Sequence, residues 1–161
     1  MYSMTSSVDN EDPRFPPMKK LPASQLPAER ITLLAIEPNQ DDCQSLLAVL
    51  AADTRIRWAS SFREATTLMH QSVPDLVLCD RDLPDGTWKD VFREAEGMRP
   101  RPAVVVVSRK PDERLWAEVL NFGAWDMLLK PFDRTEVLRM VHGVCLHRQP
   151  AARTAAAAAA A

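Results

Sequence analysis

Residues Pro74 to Gly86 read PDLVLCDRDLPDG. Leu76, Val77, Leu78 and Cys79 follow one another with no polar residue between them and run directly into Asp80. A strand covered on one face alternates apolar and polar positions. A short run that is apolar at every position has to be covered on both faces, as in a central strand of a parallel sheet. In open sheets of that kind, ligands and chemistry sit just outside the carboxyl ends of the strands. The run therefore predicts a layered α/β fold and places the Asp80 carboxylate where it is held rigidly and reached from solvent. Taken alone, Asp80 reads equally well as the first residue of a turn, a position Asp favours.

The rest of the chain repeats the alternation. Ile31 to Ile36 is a strand candidate, followed by a helix from about Gln40 to Ala52 with Asn39 as N-cap and Asp41 and Asp42 in its first turn, where carboxylates suit the helix dipole. Cys43, Leu46, Leu47 and Leu50 form its apolar face. Ile56 to Ala59 is a second strand, and Ser61 with Glu64 is a capping box opening a helix to about His70, with Phe62, Ala65, Leu68 and Met69 facing inward. Asp75 to Cys79 is the third strand, and a helix from about Thr87 to Gly97 carries Trp88, Val91, Phe92 and Ala95. The β-branched run Ala103 to Val107 is the fourth strand. Pro111 opens a fourth helix at its first position, ending near Phe122 with Gly123 as its C-terminal residue. Trp125 to Leu129 is the fifth strand. Asp133 and Glu136 cap a last helix whose face is Val137, Leu138, Val141, Val144 and Cys145. Five strands alternating with five helices predict a parallel sheet with helices on both faces.

Composition bounds the rest. The 161 residues suffice for one domain with a real core. Residues 1–29 hold Pro13, Pro16, Pro17, Pro22 and Pro27 and read as a disordered leader. The domain is expected over residues 30–149, and residues 150–161 form an alanine-rich tail that says nothing about a core and reads, among other things, as an extension of the last helix. A formal net charge of −2 gives no basic field for nucleic acid or a membrane surface. No run approaches the roughly 20 apolar residues of a membrane helix, and no signal peptide is visible, so a soluble, cytoplasmic protein is expected. Cys43, Cys79 and Cys145 lack CxxC spacing and read as buried thiols in a reducing compartment. His142, Cys145 and His147 read as a coincidence on one helix rather than a zinc site, which usually needs four ligands.

Four strand ends carry chemistry together: Glu37 after the first strand, Asp80 after the third, Ser108 after the fourth and Lys130 after the fifth. The segments PDLVLCDRDLPDG, VVVVS (Val104 to Ser108) and FGAWDMLLKPF (Phe122 to Phe132) carry a resemblance to the receiver domain of two-component response regulators, of the CheY-like superfamily, over about Ile31 to His147. The resemblance implies a flavodoxin-like doubly wound sheet of five parallel strands in the order 2-1-3-4-5 with five helices. It implies that Asp80 is the phosphoacceptor, that Lys130 pairs with Asp80 and then with the phosphoryl group, and that the Ser108 hydroxyl binds a phosphoryl oxygen. It further implies Mg²⁺ held by Glu37, Asp80 and the backbone carbonyl of Asp82, and a cis bond before Pro131. The implied partners are a histidine kinase or phosphotransfer protein and a downstream protein target, reached through a surface of the fourth helix, fifth strand and fifth helix, through which a homodimer would also form. Trp116, Phe122 and Trp125 fall in that region, Phe122 as a core residue. No output domain is expected after the fifth helix. The chain would be a signalling domain, catalysing at most its own phosphorylation and dephosphorylation.

The sequence departs from the family at several positions. Pro38 stands where a second acid usually binds Mg²⁺ directly, so binding should be weakened. Asp41 and Asp42 are near in sequence but, as first-turn residues, need not face the crevice. Met127 replaces an aromatic residue and cannot reproduce an aromatic switch. Trp125, two residues earlier, would share its strand face. Arg109 follows Ser108 where a small residue is usual, and it is expected to point to solvent, to narrow access to the crevice or to bind a phosphoryl oxygen itself. Arg81 has the same ambiguity. Pro38 and Met127 suit an alternative, a pseudo-receiver acting as a phosphorylation-independent interaction module. A flavodoxin-like ligand binder is disfavoured because Glu37-Pro38-Asn39-Gln40 replaces a glycine-rich phosphate loop.

Overall fold

The computed structural model describes residues 31–50, 54–110 and 112–159. The expected leader, Ala51 and Ala52 at the expected end of the first helix, and Pro111 lie outside the described residues. The five long strands are β1 (Thr32–Ile36), β2 (Arg55–Ala59), β3 (Leu76–Asp80), β4 (Ala103–Ser108) and β5 (Asp126–Leu129). The helices are α1 (Gln40–Leu50), α2 (Phe62–Gln71), α3 (Trp88–Glu96), α4 (Glu113–Phe122) and α5 (Arg134–Ala159). The strands form one parallel sheet in the order β2-β1-β3-β4-β5.

Successive residues of the central strands serve two separate cores, as the uninterrupted apolar runs require. Leu34, Ile36, Val77, Cys79, Val104 and Val106 pack under α2, α3 and α4. Leu33, Ala35, Leu76, Leu78, Val105 and Val107 pack under α1 and α5. All four valines of β4 are buried. The expected face of α3 is buried throughout, whereas Leu47 of α1 and Leu138 of α5 are exposed and Asp42 and Met140 are buried instead. Among the cysteines, Cys79 is fully buried, and Cys43 and Cys145 are half-buried.

The caps explain where the helices begin and end. Thr87 and Asp90 form a complete capping box at α3. At α2 the Ser61 hydroxyl accepts from the Glu64 N–H, but the Glu64 carboxylate accepts from the Ser60 N–H and hydroxyl, so the expected box closes one residue early. The Asp85 carboxylate accepts from the N–H groups of Phe62 and Arg63, capping α2 from a distant loop. Asp112 is the N-cap of α4. Gly123 ends α4 at φ 91°, a left-handed conformation suited to glycine. Asp133 accepts from the Glu136 N–H at the start of α5.

Candidate functional site

The register of the sheet brings the chemistry-bearing residues together. Ile36 pairs with Cys79, Asp80 with Val107, and Ser108 with Leu129. Glu37, Asp80, Ser108 and Lys130 therefore end four adjacent strands on one edge. A short antiparallel pairing of Asp82–Leu83 with Gly86–Thr87 shapes the loop beyond Asp80, which the sequence did not suggest. The Lys130–Pro131 peptide is cis, as is Arg99–Pro100.

Lys130 is the centre of the site. Its ammonium lies 2.5 Å from Glu37 Oε2, 2.6 Å from Asp80 Oδ2 and 3.0 Å from Asp42 Oδ2. Its side chain is only 2% exposed, whereas that of Asp80 is 21% exposed. The cation is thus sealed beneath the carboxylate that solvent can reach. Asp80 Oδ1 accepts from the Asp82 N–H at 3.0 Å, which fixes the carboxylate plane. Glu37 Oε1 accepts from the Asn39 N–H at 3.1 Å.

Burial pushes Lys130 toward its neutral form, but hydrogen bonds to Asp80, Glu37 and Asp42 outweigh it and raise its pKa. Burial raises Glu37 despite the opposing ammonium. Burial also acts upward on Asp42, but Lys130 and Arg109 together hold its carboxyl below the ordinary value. Cys79, fully enclosed beside this cluster, is pushed well above the ordinary thiol value by burial.

Asp42 is a site residue that the sequence reading set aside. It lies on the buried stripe of α1 with Leu46 and Leu50, at intervals of four residues. That spacing was the available signal. Arg109 does not simply point to solvent: its Nη2 lies 2.5 Å from Asp42 Oδ2. Arg81 turns outward, 3.8 Å from Asp82 and 4.0 Å from Asp112. Ser108 is buried at the site's edge, and among the described residues its hydroxyl makes no hydrogen bond to Asp80. Its hydroxyl accepts from the Lys110 N–H at 3.3 Å and lies 3.4 Å from the Lys110 carbonyl. Asp82 is exposed.

On the proposed signalling face, Phe122 packs edge-on against Trp88 and Phe92, as a core residue. Trp116 and Trp125 are exposed. Trp125 does not share the environment of Met127. It precedes β5, and its ring lies 5.0 Å from that of His147 on α5, whereas Met127 packs under α2–α4.

The oxygen donors suit a hard cation. Among the described residues no three His, Cys, Asp or Glu side chains are arranged to hold a metal by themselves. Mg²⁺, which keeps several waters and takes one or two carboxylates, fits such a sparse set. Pro38 adds no donor side chain.

Comparison with known proteins places this geometry. The family model of the response regulator receiver domain matches residues 34–142. The sensor histidine kinase TmoS of Ectopseudomonas mendocina is 30% identical over 116 residues, which is 70% of this chain and 12% of that protein. The transcriptional regulatory protein ZraR of Escherichia coli is 27% identical over 106 residues, 65% of this chain and 24% of that protein. The chain therefore spans only a small part of these two relatives. The chemotaxis protein CheY of Thermotoga maritima is 27% identical over 86 residues, 53% of this chain and 72% of that protein. A two-component response regulator from Clostridium difficile superposes with a TM-score of 0.67 at 21% identity, covering 74% of this chain and 99% of that one. At that identity the likeness bears on the fold alone. No helix among the described residues is long and apolar enough to cross a membrane. With its sheet order, its strand-end cluster and the family match over residues 34–142, the chain belongs to the response regulator receiver domains of two-component systems.

Proposed function

We propose that this receiver accepts a phosphoryl group on Asp80. The observation that carries the reading is the 2.6 Å contact between a partly exposed Asp80 carboxylate and a sealed Lys130 ammonium. A carboxylate oxygen attacks phosphorus and forms a C–O–P mixed anhydride. From phosphohistidine, the P–N bond breaks and its electron pair stays on the imidazole nitrogen, which takes up a proton. From acetyl phosphate, the P–O bond breaks and acetate leaves with the pair, so no proton is needed. The transferred group carries its charge on three equatorial oxygens, so positioning and positive charge do most of the work.

The Asp82 N–H orients the nucleophile, and Lys130 lies where a phosphoryl oxygen on Asp80 would meet it. Ser108 turns from Lys110 to bind a second oxygen. Glu37, Asp80 and the Asp82 carbonyl would hold Mg²⁺, weakly because Pro38 adds no carboxylate. Bound there, the ion would neutralise charge on the phosphoryl group. The donor is a histidine kinase or phosphotransfer protein, and the signal leaves by the face bearing Trp116 and Trp125.

The test is intact mass after incubation with acetyl phosphate and Mg²⁺. A gain of one phosphoryl group that is absent from Asp80→Asn is expected. No gain at any Mg²⁺ concentration, with partner binding unchanged in Asp80→Asn, would sink the reading in favour of a pseudo-receiver.

A further inference from the structure

An ammonium has three N–H donors: Lys130 gives one to Asp80 and one to Asp42, and Glu37 closes its third side as an ion pair at 2.5 Å. An incoming phosphoryl oxygen can bind Lys130 only by displacing one of them. The three are not equivalent. Asp80 is itself the acceptor. Glu37 has no second cation within salt-bridge distance among the described residues, so losing Lys130 would leave a buried carboxylate uncompensated. Asp42 is the most distant partner, and the same Oδ2 atom that faces Lys130 also lies 2.5 Å from Arg109. Asp42 can give up Lys130 and remain paired.

We propose that Asp42 and Arg109 form a release clamp on Lys130: Asp42 holds one ammonium donor at rest, and Arg109 keeps Asp42 neutralised while Lys130 turns to the phosphoryl group. This rests on the reading of Asp80 as acceptor. Both are positioning residues, acting through Lys130 rather than on the reacting atoms. Arg109 suits the part because its side chain is 58% exposed and yet reaches Asp42 Oδ2. The device couples the first turn of α1 to the loop after β4.

The test is a double-mutant cycle on the rate of Asp80 phosphorylation by acetyl phosphate, with the Lys130 ammonium signal of ¹⁵N-lysine-labelled protein recorded alongside. Asp42→Asn frees Lys130 and should speed the reaction by at least about threefold, since this buried pair is worth no less than an exposed one. Arg109→Gln leaves Asp42 dependent on Lys130 and should slow it by about the same factor. In the Asp42→Asn background, Arg109→Gln should have no effect. An equal slowing by Arg109→Gln in both backgrounds would mean that Arg109 binds the phosphoryl group directly, and would overturn the clamp.

The ammonium signal separates this inference from the reading beneath it. If the wild-type protein takes no phosphoryl group, the proposed function fails. The clamp then stands or falls on whether Asp42→Asn moves the Lys130 signal and Arg109→Gln moves it the other way. An unmoved signal overturns the clamp. If Asp42→Asn does not fold, Arg109→Gln, altered only at the exposed rim, decides: the absence of both a slowing and a shifted signal would refute the clamp.

Discussion

At the scale of single residues, position in the sheet decides what each charge is worth. Lys130 and Asp126 lie at opposite ends of one short strand. Lys130 is surrounded by carboxylates, whereas among the described residues the half-buried Asp126 carboxylate accepts only from the Met127 N–H and has no cation within salt-bridge distance. Burial therefore raises Asp126 above its ordinary value of 3.8. A raised carboxyl pKa means that the folded state binds the proton more tightly than the unfolded chain. The stability this gives is present below the ordinary value and lost as pH rises through the folded one. Asp126→Asn, which keeps an acceptor for the Met127 N–H, should stabilise the protein at neutral pH by something below about 1 kcal/mol, given its partial exposure. Urea midpoints should show that advantage closing as the pH is lowered toward about 4. Residue by residue, the site was partly legible. Asp80, Lys130, Glu37 and Ser108 could be placed because strand ends are read from apolar runs. Asp42 was set aside because its charge fitted a helix first turn, although its spacing to Leu46 and Leu50 marked the buried stripe. The pairing of Arg109 with Asp42 was not legible because no local pattern reports a partner 67 positions away.

At the scale of elements, strands and most helix ends followed from local chemistry, and long-range caps did not. Gly123 was legible as the end of α4, and its φ of 91° makes the requirement specific. Gly123→Ala should cost about 1 kcal/mol through the left-handed backbone alone, read as a lowered urea midpoint. The nearest side-chain atom to an added Cβ is 3.9 Å away, so no clash adds to it. The start of α2 is the opposite case. Ser61 and Glu64 signalled the helix, but its first two free N–H groups are satisfied by Asp85, from the loop after β3. Those two bonds also hold the Asp85 carboxyl below its ordinary value. Asp85→Ala should leave the fold intact while speeding amide exchange at Phe62 and Arg63. Unchanged exchange at both amides would show that the contact does not support the helix. The small pairing of Asp82–Leu83 with Gly86–Thr87 escaped the sequence because strands of two residues carry no period.

At the scale of the whole molecule, the sheet separates two cores that share no helix. Strand order and layering were readable because apolar runs without alternation leave only the two-sided arrangement. The central strands β1, β3 and β4 are bonded on both sides, whereas β2 and β5 are edges. Hydrogen exchange should be slowest at the amides of Val77, Leu78, Val105 and Val106 and faster at those of β2 and β5. Uniform protection across the sheet would contradict that ranking. The candidate site straddles this divide. Asp80 ends an interior strand, and Lys130 follows an edge one. A partial unfolding that peels β5 from the sheet would carry off Lys130 and leave Asp80 in place. Such a transient form would keep its fold largely intact, and under the proposed function it would be chemically silent, so sub-global opening, quite apart from any ligand, would set a ceiling on the fraction of molecules competent to react.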